Sequence, residues 1–229
     1  MRVLALDAAT EACSVALLNG DELSARMSQG GRSEATQILD MIQAVLAESS
    51  LSLSQLDGIA ASVGPGAFTG VRISVAVAQG LAFGAGLPVV PVTTLEALAM
   101  TAVLAGATRA LACLDARMGE VYWGCFAADS TRVLLTMSAA RVGPPESVIL
   151  PTHEIYQGMG RGFGAYPWLA RLPGVTLAAA GAEALPNARE FARLGAARLA
   201  LGEGVDAADL SPVYLRDKVA LTTAERAAD

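Results

Sequence analysis

Residues 62–86 read SVGPGAFTGVRISVAVAQGLAFGAG, and the first half of that stretch has the composition of a loop built around a phosphate. Gly64, Gly66 and Gly70 let a backbone approach a ligand closely. Thr69 adds a hydroxyl where a helix would begin with its N–H groups facing an anion. The pattern is neither GxxxxGK(S/T) nor GxGxxG: it has no lysine, and Pro65 removes one N–H donor from any phosphate nest. The same glycines would equally serve a tight strand-to-helix turn. Asp7 and Asp115 each close an apolar run, and an aspartate at a strand's carboxyl end can orient a metal-bound phosphate. Either can instead accept backbone N–H bonds in the turn that follows, which is the favoured reading for Asp115 in LDARMGE.

Other chemistries find little material. The single histidine, His153 in PTHEIY, reads as a loop residue, and no GxSxG elbow offers it a nucleophile. Cys13, Cys113 and Cys125 lie far apart, so with one histidine they supply no zinc or iron cluster, and reduced thiols in the cytoplasm are the expected state. Net charge is −6, with Lys218 as the only lysine and no basic stripe, which excludes nucleic-acid binding unaided.

These candidates need elements to position them. The 229 residues suffice for one large domain or two smaller ones, and a composition 53% hydrophobic but 5% aromatic implies a core of Ala, Val and Leu. Runs 3–7, 13–18 and 22–27 read as strands, with Asn19-Gly20 as a hairpin turn. Asp7 and Glu11 interrupt what an export signal would need as its apolar region, so the start reads as a strand. Ser33 caps a helix whose apolar positions Ile38, Met41, Ile42, Val45 and Leu46 follow the three-and-four spacing to about Ser49. A strand over 57–62 leads into the glycine loop, a helix runs over about 71–83, and LPVVPV is a strand. Thr93-Thr94 caps a helix through about Leu104.

Residues 73–95 carry no charge and are long enough for a bilayer, yet Gly84, Gly86, Pro88 and Pro91 favour a buried helix, a turn and a buried strand. The second half repeats the opening: strands over 109–116, 120–127 and 132–137, then a short helix at 144–149, a strand at 155–160 and a helix over about 186–201. A division into 1–105 and 106–229 follows, with the SPVYLRDKVAL tail as a strand or extended segment free to pack back on the first unit. The helix after the glycine loop is small on every side (Ser74, Ala76, Ala78, Gly80, Ala82), which suits close packing either in the core or against a partner chain.

LALDAATEACSVAL, SVGPGAFTGVRISVAVAQGLA, LDARMGEVYWG and PVYLRDKVA, in this order from residue 4 to residue 220, resemble the TsaB (YeaZ) family. The resemblance implies an α/β, actin-like and sugar-kinase-like fold of two ribonuclease-H-like domains. It implies a non-catalytic subunit that binds TsaD, with the ATPase TsaE, for threonylcarbamoylation of the adenosine beside the anticodon in tRNAs reading codons that begin with A. No metal or catalytic residue is expected, since GRSEATQIL stands where the TsaD relatives carry a histidine metal motif. The phosphate turn is vestigial at Asp7, Gly64, Gly66, Thr69 and Gly70, so any ATP or ADP would sit weakly at the partner interface. That interface carries over to Ile38, Met41, Val71, Val75 and Ala78, engaging TsaD or, in its absence, a second copy. tRNA is reached only through the complex, and no membrane is involved. The competing reading is an enzyme acting alone: an actin-like ATPase using Asp7 and the glycine loop, or a peptidase.

Overall fold

The computed structural model describes residues 1–29, 34–178 and 180–216, so the proposed Ser33 cap and the end of the tail, including Lys218, lie outside the described residues. The first unit opens with β1 (Arg2–Asp7), β2 (Ala12–Asn19) and β3 (Glu22–Gln29) as an antiparallel meander. Gly20 takes φ +63° in the loop after Asn19, a conformation open to glycine at no steric cost. Helix α1 (Glu34–Glu48), β4 (Gly58–Ser62), α2 (Phe68–Ala85) and β5 (Val89–Val92) follow, and β4 and β5 add in parallel beside β1. The sheet order is β3-β2-β1-β4-β5.

Helix α3 (Thr94–Leu104) starts on a capping box, in which the Thr93 hydroxyl accepts the Glu96 N–H and the Glu96 carboxylate accepts the Thr93 N–H. The second unit then repeats the plan with β6 (Arg109–Arg117), β7 (Glu120–Ala128), β8 (Leu134–Thr136), β9 (Arg141–Gly143), β10 (Tyr156–Met159), the single turn α4 (Gly162–Ala165) and β11 (Val175–Leu177). Its order, β11-β10-β6-β7-β8, is the first sheet's order with β6 in the place of β1, and β9 pairs separately with β7. Both sheets are thus built on one ribonuclease-H-like arrangement, and together they form the two-domain actin-like fold. The helix expected at 144–149 is only a 3-10 turn at Pro145–Ser147, while α2 begins earlier than the glycines suggested, at Phe68.

Alternation along the central strands explains the layers. In β1, Leu4 and Leu6 face α1 and α2, packing with Ile38, Ile42, Val45, Val75 and Ala78, whereas Val3 and Ala5 face the opposite side. There they meet Phe191 and Ala192 of α5 (Ala188–Ala200) and Ala97, Met100 and Val103 of α3. The other side of α3 (Leu95, Leu98, Ala99, Ala102) packs on Ala110, Ala112 and Leu114 of β6, so α3 is shared by both sheets. Leu111 and Cys113 face outward onto Tyr156, Phe163 and Leu169. Helix α5, although it falls within 106–229, therefore lies on the first sheet, and Arg198 of α5 ties it to Glu96 of α3.

Candidate functional site

The glycine loop is filled by the chain itself. A Cβ on Gly66 would stand 2.0 Å from the Ala9 carbonyl oxygen, and one on Gly70 would stand 1.8 Å from that of Ala8, so both glycines exist to admit the backbone leaving β1. Hydrogen bonds lock the contact: Ala67 N–H donates to the Ala9 carbonyl (2.6 Å), and Ala8 N–H donates to the Ser74 hydroxyl (2.8 Å). Asp7 is fully buried, and its Oδ1 accepts the Ala9 N–H at 2.9 Å. Asp115 does the same one repeat later, accepting the Arg117 N–H at 2.8 Å. Both strand-end aspartates hold the turn that follows them.

A cleft of about 730 Å³ lies between the units, walled by Ala9–Glu11, Pro65–Phe68, Leu114–Arg117, Arg161 and the tail residues Val213–Arg216. Of the five residues expected to form a phosphate turn, Gly66 alone lines it. Asp7, Gly64 and Gly70 are buried behind the wall, and Thr69 is exposed on α2. The arginines at the cleft are matched by carboxylates: Arg161 pairs with Glu11 and with Glu183 (3.4 Å), Arg117 with Asp115 (3.0 Å), and Arg216 with Glu120. Charge matching of this kind leaves little net attraction for a polyphosphate. At the mouth, the Arg72 guanidinium sits 3.2 Å from the Phe68 ring centroid and 5.4 Å from that of Tyr214. Nothing in the sequence signalled the pairing of Glu11 with Arg161, 150 residues away.

His153 lines a separate hollow of about 310 Å³ with Val148, Leu150 and Leu172, and no serine or cysteine lines it. Cys13, Cys113 and Cys125 are buried and form no disulfide. Burial, with the charges of Asp115 and Cys125 adding to it, pushes the Cys113 thiol up to about 12, so it is an unreactive core group. Among the described residues no group of three or more His, Cys, Asp or Glu could hold a metal ion.

The helices present a second surface. Ile38, Met41, Val71, Val75 and Ala78, expected to touch a partner, are all buried in the first unit's own structure and offer little surface to another chain. They carry over from the family resemblance, and on α1 the three-and-four apolar spacing at Ile38 and Met41 marks the face turned to the sheet. The outward face of α2 instead carries Thr69, Arg72, Ala76, Gly80, Phe83 and Gly84, with Phe83 85% exposed, and α1 adds Leu39 at 45%. By length and composition α2 could cross a bilayer; here one face of it packs on the first sheet.

Residues 28–140 match the family described as TsaD: tRNA N6-adenosine threonylcarbamoyltransferase. Over the whole length, the chain is 41% identical to the tRNA threonylcarbamoyladenosine biosynthesis protein TsaB of Escherichia coli K12, covering 96% of both chains. The chain belongs to the TsaB family. The TsaB protein of Haemophilus influenzae is 37% identical, over 96% of this chain and 95% of its own. YeaZ from Pseudomonas aeruginosa superposes with a TM-score of 0.86 at 41% identity, covering 93% of this chain and 99% of that one. A second structure from that organism, described as an uncharacterized protein with similarity to peptidase YEAZ, gives the same TM-score and identity. In this TsaB chain a cleft lies between the two units, and Gly66 and Gly70 beside it pack against the backbone leaving β1.

That packing has a measurable signature in Asp7. Burial pushes its carboxyl up from 3.8 to about 6, with the Ala9 N–H and the Ser62 hydroxyl acting in the opposite direction. Between these two values the folded chain holds a proton that the unfolded chain has released, so stability falls as pH rises from about 4 to about 6 and levels off above. The contribution is about 3 kcal/mol. Asp7→Asn keeps a carbonyl for the Ala9 N–H and loses the titration. Its unfolding free energy relative to the unsubstituted chain, measured by urea denaturation across pH 4 to 7, is expected to rise through that window. A flat difference would mean Asp7 is solvated.

Proposed function

We propose that this chain is a non-catalytic scaffold subunit that docks a TsaD-type catalytic subunit, with a TsaE-type ATPase joining them, to support threonylcarbamoylation of tRNA adenosine beside the anticodon. The observation that carries the reading is the outward face of α2. Ala76, Gly80 and Gly84 leave its backbone open to close approach, and Phe83 stands almost fully exposed beside them. A lone chain gains nothing from exposing a phenylalanine, whereas an interface gains an anchor. The names of the TsaB relatives support the pathway, and the filled glycine loop supports a role without independent ATP turnover. Any ATP or ADP is then held at the junction with TsaD. The tRNA is reached through the complex, in the cytoplasm.

The test is light scattering after size-exclusion chromatography, on the chain alone and mixed with TsaD from the same organism. The expected result is a heterocomplex formed at the expense of a homodimer. A chain that elutes apart from TsaD even with TsaE and ATP present would overturn the reading.

A further inference from the structure

The docking role accounts for neither the left-handed turn between β6 and β7 nor the PVYLR segment after α5, and the structure brings these two together. Arg117, Met118 and Gly119 have φ of +61°, +54° and +77° in succession. Positive φ at Met118 and Gly119 is what a two-residue hairpin loop needs, but methionine is a poor choice for it, and Arg117 extends the left-handed run into the strand. Asp115 holds the first residue of the turn by accepting the Arg117 N–H, but the tip has no packing of its own to justify the strain: Met118 is 74% exposed. What it does is turn the Ala116 carbonyl, the Met118 sulfur and the Glu120 carboxylate toward one point. Arg216 occupies that point, donating from Nη2 to Ala116 O at 3.2 Å and from Nη1 to Met118 Sδ at 3.7 Å, and pairing with Glu120.

The segment leading to Arg216 is fastened to the first unit. Gln79 Nε2 of α2 donates to Leu210 O (3.0 Å), and Val213 N–H donates to Val63 O (2.8 Å). The Tyr214 ring lies 6.2 Å from that of Phe68, beneath Arg72. Val213 to Arg216 also form one wall of the cleft. We propose that residues 210–216 are a latch: they join α2 of the first unit to the β6–β7 hairpin of the second, close that wall of the cleft, and use the strained turn as the catch for Arg216.

A latch is reciprocal, so loosening one side must loosen the other. The test is hydrogen exchange by mass spectrometry on the free full-length chain, which needs no partner protein. Arg216→Ala is expected to speed exchange in peptides covering residues 114–121 by about tenfold, and Glu120→Gln to speed exchange over 211–216 by a similar factor, with β1, β4 and α3 unchanged. Arg216→Lys, which keeps the charge but not the fork of donors, should fall between. Faster exchange confined to the substituted side would overturn the latch and leave a passively docked tail. Faster exchange across both sheets would overturn it too, since Arg216 would then be a general stabilising contact.

Discussion

Gly70→Ala is expected to destabilise the chain by about 3 kcal/mol or more, a loss far beyond the helix-propensity gain of about 1 kcal/mol that alanine brings to a helix. The added Cβ would stand 1.8 Å from the Ala8 carbonyl oxygen and 2.9 Å from its carbon, both main-chain atoms. Relief requires moving the β1–β2 connection, which is pinned by Ala8 N–H to Ser74 and by Ala67 N–H to the Ala9 carbonyl. Breaking the first leaves the buried Ala8 N–H unpaired at about 1 to 3 kcal/mol. Gly66→Ala meets the Ala9 carbonyl at 2.0 Å and should behave alike. The control is Gly80→Ala, where a Cβ meets nothing within 4 Å and the propensity gain should appear unopposed. Denaturant titration of the three variants decides the matter. A Gly70→Ala chain within about 0.5 kcal/mol of the unsubstituted one would show that the loop is not packed shut, and would return it to candidacy as a phosphate site.

This contrast marks what the residues disclosed and what they withheld. Local rules carried the elements: alternation and a turn glycine gave the opening meander, and the Thr93–Glu96 capping box marked the start of α3. The repeat of strands over 109–137 foretold a second unit on the same plan, whereas β9 and β11, three residues each, are too short to show a period. At the site, glycine content announced a close approach but not which atoms approach, because Ala8 and Ala9 lie far from residues 66 and 70 in sequence. On α1 the apolar stripe was legible, yet periodicity identifies a buried face without saying what buries it, and Ile38 and Met41 proved to face their own sheet. On α2 small residues on all sides leave no periodic contrast, so Val71, Val75 and Ala78 could not be told from the outward Ala76 and Gly80 until their burial was seen.

Those burials determine which substitution can test docking. Met41→Glu and Ala78→Arg would place a charge at buried positions of the core, and any loss of TsaD binding would then follow from unfolding. Gly80→Arg avoids this. Position 80 is exposed, its Cβ meets nothing within 4 Å, and replacing a mid-helix glycine favours the helix by about 0.7 to 1 kcal/mol. The free chain should therefore unfold at the same or a higher temperature. In the complex, the new side chain would stand where a partner helix must approach, bringing a charge into a desolvated contact. A cost of about 3 kcal/mol or more is expected, which is over a hundredfold in affinity. Phe83→Ala, removing the exposed anchor, should cost about 2 kcal/mol without the clash. Calorimetry with TsaD measures both, and binding of Gly80→Arg within about threefold of the unsubstituted chain would exclude this face. Because stability and affinity are expected to move in opposite directions, no misfolding of the variant can imitate the result.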